Sequence, residues 1–501
     1  MDQHRNFVNR PKPPGVRNRW LPPDDSSRSF PTGVRLARGA LLVALLLVCG
    51  PLGTTQAQNQ PQQIPQLGVA VQLPTFGVTI DGNGLLEVAT VEDPSGKLRA
   101  ERAKAARAGL RGNVARRSTQ RKISLRRLEQ AIARALAAGA PLDDSIRYLA
   151  GLKRVEKVFL YPDSHDIVLA GPAGGWLQDA TGRVVGIDDN APLVLLDDLV
   201  IALRALGPRA PRNQVVLCSI DPAAEGLKRF QGIHRLMPQQ FTPAEHEPLA
   251  DFLNARAAEL LGPARIWIHG VPADCHLAQV MVESDYRMKL IAIGREPPPV
   301  DMITFAEAVD RPIRDFQQWW LTPDYHWVVE DAQAESMQLI GQGVQLITNR
   351  VLLRPDGSLE IQEQRSSRAA KTYAREFTDK YPAIAAASPV FAQLRNIVDV
   401  LIASAWLQRH DAWSRVDWAG GVLVDAERFP HQALPVPRTA PSVANALFKG
   451  EMLVLPAGGG FSINPSIALE PEYLTADSDG QLAELRQQQH FPADELVWWW
   501  D

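Results

Sequence analysis

Apolar and polar positions alternate with a strand period early in the chain and with a helical period soon after. Phe76 to Val88 reads FGVTIDGNGLLEV, which predicts two short strands around an Asp-Gly-Asn-Gly turn. Leu125, Leu128, Ile132 and Leu136 recur at helical spacing until Gly139 ends the helix. A β-rich stretch follows: VEKVFLY, a turn at Pro162 to His165, then DIVLAG and GRVVGI. Leu193 to Leu206 predicts a helix, and Val215 to Ile220 a buried strand. A helix from about Pro243 to Leu261 leads into the strand ARIWIHG, and another helix follows Pro272. Strands and helices that alternate in this way point to a layered, α/β-like central part.

The pattern changes after residue 300. Tyr325 to Glu330, Met337 to Ile340 and the segment RVLLRPDGSLEIQ predict an antiparallel β meander, with Pro355-Asp356-Gly357 as the hairpin turn. Ser388-Pro389 predicts a helix start, with Ser as cap and Pro in the first turn. Leu394, Ile397, Val398, Leu401 and Ala405 give that long amphipathic helix an apolar face, while Arg395, Asn396 and Asp399 argue against membrane insertion. The rest, with Gly458-Gly459-Gly460 read as a turn, is expected to be short strands and loops. The fold class is therefore α+β. An N-terminal tail and hairpin occupies 58–92, a basic arm, flexible or helical, 93–124, and a mixed α/β domain 125–300. A β meander with a helical region fills 301–475, and a C-terminal tail 476–501.

Residues 1–57 read differently. Ala40 to Val48 is the apolar run ALLVALLLV, preceded by Arg35 and Arg38 and followed by Gly50, Pro51 and the small-residue site Thr55-Gln56-Ala57. This is the layout of a secretory signal peptide cut before Gln58. The run is too short for a membrane span, and no later run is both long and continuous enough, so no transmembrane span is expected after cleavage. The lead is long, and Val34 is a candidate alternative start. Cys49 raises a lipoprotein reading, but Val48 stands where a lipobox needs a small residue. The sequence therefore predicts a protein exported to the periplasm, cell envelope or extracellular space.

Composition, 45% hydrophobic and 22% charged, is that of an ordinary folded chain. Cys218 and Cys275 remain after cleavage, and either pair in an oxidising compartment or stand as separate buried hydrophobes. Charge is uneven. Lys97 to Arg127 holds twelve Lys or Arg against the single acid Glu101. The chain total is −3 and residues 1–57 contribute +5, so the rest of the mature chain carries about −19. Such an arm makes non-specific polyanion contact possible, although it has no aromatic residue for base stacking. The alternative is a tether folded against the protein's own acidic surface.

Motifs that carry known chemistry are missing. There is no phosphate loop, dinucleotide fingerprint, zinc helix, nucleophile elbow or C-x-x-C pair, so neither a cofactor nor a metal is predicted. Three constellations remain. The segment VPADCHLAQVMVESDYRMKLIAIG sets Asp274, His276, Glu283, Asp285, Tyr286, Arg287 and Lys289 among apolar residues. Asp274 and His276 could orient one another as carboxylate and base, with Asp285, Tyr286, Arg287 and Lys289 as further catalytic candidates. The competing reading is a core helix capped by Asp274, in which Met281→Asp breaks the fold and His276→Ala is mild. Asp163-Ser164-His165-Asp166 flanks a histidine with carboxylates but sits where a hairpin turn is predicted. Trp319, Trp320, Tyr325, His326 and Trp327 could stack on a sugar or grip a partner if exposed, and are core if buried. Trp498-Trp499-Trp500 reads as a docking tail.

The blocks YPDSHDIVLAGPAGGW, LLDDLV, CSIDP, VPAD with SDYRMKLIAIG, WWLTPDY, FTDKYP and SPVFAQLRN, in this order, resemble the exported planctomycete proteins of domain of unknown function fifteen-ninety-eight. The resemblance spans about residues 76–475. It implies an exported location and carries over no catalytic residue. Two function classes follow. One is a non-enzymatic envelope or extracellular protein that binds a protein or polymer partner. The other is an exported hydrolase with a site near Asp274 and His276. A flat surface would favour the first, and a pocket holding both residues the second.

Overall fold

The structure, a computed structural model, describes residues 77–501 apart from 90–92, 94, 111, 209, 213, 237, 239, 311–315, 325–326, 354–358 and 363–365. The signal segment with Cys49, Tyr325, His326 and the turn at Pro355-Asp356-Gly357 lie outside the described residues.

The chain opens with the hairpin of β1 (Val78–Ile80) and β2 (Leu86–Val88), then α1 (Lys97–Gly109), β3 (Ser118–Ser124) and α2 (Leu125–Ala137). A short α3 (Asp144–Arg147) precedes the hairpin β4 (Lys157–Tyr161) and β5 (Asp166–Ala173). A small hairpin, β6 (Trp176–Gln178) and β7 (Val184–Gly186), leads to α4 (Leu196–Ala205). Next come β8 (Val216–Asp221), α5 (Ala224–Phe230), α6 (His246–Leu261), β9 (Ala264–His269), α7 (His276–Ala292) and α8 (Phe305–Ala308). Five strands follow: β10 (Phe316–Asp324), β11 (Trp327–Glu330), β12 (Ser336–Ile340), β13 (Gly343–Leu353) and β14 (Leu359–Gln362). The helices α9 (Arg368–Asp379), α10 (Tyr381–Ala387), α11 (Pro389–Arg409) and α12 (Ala412–Arg415) come next. The chain finishes with β15 (Thr439–Ala440), β16 (Ala444–Phe448), β17 (Met452–Ile463), β18 (Leu474–Ala476), α13 (Gln481–Gln487) and β19 (Trp499–Trp500).

These elements form an α+β fold. One sheet has the order β14-β13-β10-β17-β8-β9-β15, with β16 also on β17, and the other β18-β11-β12-β4-β5-β3-β19. Pairing is antiparallel except at β10 with β17 and β11 with β18. One apolar core joins the sheets, from Cys218, Phe461 and Leu346 through Leu199, Met281, Tyr373 and Leu394 on helices to Val158, Leu160 and Val328. α11 is long and apolar enough to cross a membrane, but 94% of its most apolar window is buried inside the protein, as in a core helix. Asn396 and Asp399 on it are buried and bonded, to Pro192 and Arg154. Ser388 begins this helix without a side-chain cap bond, so the Pro389 backbone restriction marks the start.

Three expectations change. The predicted meander is split: β11 and β12 join one sheet, while β13 and β14 join the other, so the boundary at residue 300 does not separate the sheets. Gly458-Gly459-Gly460 is no turn but the middle of β17. A Cβ on Gly459 would sit 1.8 Å from the Trp319 carbonyl oxygen, and one on Gly460 2.1 Å from that of Cys218. Glycine is needed there because neighbouring backbones approach too closely for any side chain. The basic arm is not separable either, since its last seven residues are β3, held between β5 and β19.

Candidate functional site

The segment around α7 is the natural place for a site. Cys275, not Asp274, is the N-cap, its Sγ accepting the Ala278 N–H at 3.4 Å. Asp274 instead meets His431 Nε2 at 2.9 Å. His276 Nδ1 lies 2.8 Å from the carboxylate of Asp198 on α4. The expected pairing of Asp274 with His276 is therefore corrected: each has a partner from elsewhere in the chain, Asp274 lying before the cap Cys275 and His276 at the first helical position.

From His276 a buried polar chain runs inward. Its Nε2 is 3.4 Å from Gln393 Nε2, and Gln393 Oε1 accepts from Arg183 at 3.1 Å. The guanidinium fixes the amide orientation, so the imidazole accepts at Nε2 and donates from Nδ1 to Asp198. Arg183 also forms an ion pair with Glu283, both nearly fully buried, and Arg287 bridges Glu283 at 3.6 Å and Glu296 at 2.7 Å. Burial raises the Glu283 carboxyl above its usual range, with Arg183 and Arg287 opposing. Asp197 is likewise raised, by burial and then by the adjacent Asp198.

Asp285, Tyr286 and Lys289 lie outside this chain. Lys289 donates to Asp285 at 2.9 Å and to the carbonyls of Ile220 and Gly459 at 2.5 and 2.9 Å, which fastens the helix to β8 and β17. Burial pushes Asp285 up to about 7, with Lys289 opposing. Tyr286 donates to the Pro441 carbonyl, and burial lifts its phenol to about 12. Both cysteines are free and buried, so they do not pair. Burial pushes the Cys275 thiol up to about 12 and Cys218 well above the ordinary range, the opposite of what a thiolate nucleophile needs. His165 closes the turn before β5 in a left-handed conformation, and Asp166 is buried. That constellation is a structural corner.

The tryptophans separate by the pleat. Trp319 is fully buried, donates to the Ala370 carbonyl at 3.3 Å and packs edge-on against Phe305 and Tyr373. It has no area to offer a partner, which corrects its place among the binding candidates. Trp327 lies on β11, in the other sheet. Trp320 projects from the opposite face of β10 and is also buried, at 4% exposure, yet its indole N–H has no partner. The same is true of Gln318 Oε1, Thr322 Oγ1, both amide atoms of Asn349, and Ser462 Oγ. Each such group typically costs about 1–3 kcal/mol when left unmet. Trp319 and Trp320 are neighbours in a strand and so face opposite ways, with Gln318, Trp320 and Thr322 alternating onto one face.

Part of the charge on the former arm is turned toward the protein, while Lys97, Lys104, Arg116 and Arg117 are exposed. Arg121 is fully buried, bonded to the carbonyls of Val114 and Ala150, paired with Asp501 at 2.8 Å and stacked 4.5 Å from the Trp499 ring. Arg127 donates to the carbonyls of Pro492, Asp494 and Val497, and Arg107 pairs with Asp188. The triple tryptophan is therefore not a docking tail: Trp498 is buried, and Trp499 and Trp500 pair with Ile123 and Lys122.

No curated protein and no solved structure matches the chain. Residues 218–305, from β8 to the start of α8 and including Asp274, His276, Asp285 and Lys289, match the family model described as Protein of unknown function (DUF1598).

Proposed function

We propose that this is an exported, non-enzymatic protein of the cell envelope or extracellular space that acts by binding a protein or polymer partner. The observation that carries the reading is the closure of the α7 ionisable groups. His276 and Asp198 are 5% and 6% exposed and hold one another, while Lys289 and Asp285 are fully buried and paired with each other, Lys289 donating also to sheet carbonyls. An acid–base pair must reach a substrate proton, and these reach protein atoms instead. Asp274 and His276, the residues of the hydrolase alternative, belong to different pairs. Export rests on the charged lead, the apolar run and the Thr55-Gln56-Ala57 site. Arg121 and Arg127, turned inward onto protein carbonyls, are not available to such a partner.

The enzymatic half is tested by treating the purified mature chain with ester, peptide, glycoside and phosphoester substrates, alongside His276→Gln. The reading expects no turnover that depends on His276. A turnover abolished in His276→Gln, with the variant still folded, overturns it.

A further inference from the structure

Residues 430–437 run beside the Asp198–His276 pair without helix or strand. Each end is fastened. At one end the Phe429 ring is buried and its carbonyl accepts from Arg204 at 2.6 Å. At the other the Arg438 N–H donates to the Gly84 carbonyl at 2.7 Å, and the Arg438 carbonyl accepts from Ile266 at 3.0 Å. Between these anchors Pro430, Pro435 and Pro437 have no N–H, so three of eight positions cannot donate to a neighbouring strand. Pro437 is the one buried residue among the eight.

The middle of the segment is held by polar contacts. His431 Nε2 lies 2.9 Å from Asp274 Oδ1, the Leu434 N–H donates to the Asp274 carbonyl at 2.7 Å, and Gln279 donates to the Pro435 carbonyl at 3.2 Å. Against burial and Asp198, the Asp197 carboxylate is favoured by the Gln432 backbone N–H, then by His276 and His431. These contacts straddle the pair. Asp274 precedes His276 by two residues, Gln279 follows it by one turn on the same face of α7, and Asp197 adjoins Asp198. The segment thus closes over an imidazole that is 5% exposed, while it stands largely in solvent itself. Segments with few buried apolar contacts and exposed hydrogen bonds open locally at far less cost than the whole fold. Because other bonds hold both ends, opening needs the middle contacts alone to break, and Asp274 supplies two of them.

We propose that residues 430–437 are a strap that opens and closes over the Asp198–His276 pair, with His431 on Asp274 as its latch. Closed, the imidazole meets protein atoms; open, it meets solvent. The proposal concerns access alone and does not rest on the binding reading, because turnover is decided separately by the substrates tried with His276→Gln.

The test is carbethoxylation of the full mature chain by diethyl pyrocarbonate, which modifies imidazole nitrogens that reach solvent, followed by mass spectrometry of the peptide that holds His276. In the wild type His276 should react slowly. In His431→Ala it should react about tenfold faster or more, because the closed form alone loses a bond to a carboxylate. Leu434→Pro removes the other bond to Asp274, keeps His431 and should act in the same direction; it also decides the matter if His431→Ala does not fold. Hydrogen exchange of the buried α11 amides, read in parallel, separates local from global opening. Faster His276 labelling in either variant with α11 exchange unchanged supports the strap. Equal labelling in the wild type and both variants, fast labelling already in the wild type, or faster labelling only together with faster α11 exchange would each overturn it. None of these outcomes bears on export or on a partner, so the binding reading fails only by its own tests.

Discussion

Asp198 precedes His276 by 78 residues, and its carboxylate lies 2.8 Å from the imidazole Nδ1, both side chains nearly excluded from solvent. Removing the imidazole leaves a buried carboxylate next to Asp197, which burial and Asp198 already disfavour as an anion. His276→Ala is therefore not the mild change that a solvated helix residue would allow. A loss of about 3 kcal/mol is expected from urea unfolding, and replacing both residues by Leu should cost clearly less. Equal losses for the single and double variants would show that the pair is not the stabilising unit.

Gly459→Ala should prevent folding or destabilise by several kcal/mol. Its φ of +117° and the 1.8 Å approach of a Cβ to the Trp319 carbonyl leave no room unless β10 and β17 separate. Thermal unfolding of purified protein checks this, and a near-normal melting temperature would mean that the strands are not paired in this register.

Stability should fall as pH rises from about 4 to about 6 through one residue, Asp166. Burial lifts its carboxyl to about 6, opposed by bonds from Ser124, Arg126 and Ile167. In this window the unfolded chain has released the proton that the folded chain retains, so the folded state loses ground with rising pH. The effect is up to about 3 kcal/mol for a shift near two units. Asp166→Asn should flatten this part of the curve. A wild-type curve that rises more steeply than the variant's over the same window would contradict the sign.

Deleting residues 498–501 should cost about 3–5 kcal/mol, because Arg121 loses Asp501 and the Trp499 ring while staying buried, and β3 loses its edge partner. A docking tail could be removed with no change in the unfolding midpoint.

Much of the local structure was legible because it depends on local periodicity. The helix begun at Leu125 and the strands around Cys218 and Trp267 follow from apolar spacing and breakers alone. Sheet membership was not legible: β12 and β13 adjoin in sequence but enter different sheets, a choice made by partners up to 180 residues away. Site geometry failed for the same reason. Asp274 and His276 look like a pair only while Asp198 and His431 are out of view, and the glycines of β17 look like a turn until the carbonyls of Trp319 and Cys218 are beside them. Arg121 was counted as free charge because its partner Asp501 is at the far end of the chain.

The central claim is an exported binding protein, and the most direct measurement is N-terminal sequencing of the native protein after cell fractionation. The account predicts a chain that starts near Gln58 in the periplasmic, envelope or extracellular fraction, because the Thr55-Gln56-Ala57 site follows a short apolar core. A chain that begins at Met1 in the cytoplasm, or at a lipid-modified Cys49, would contradict it.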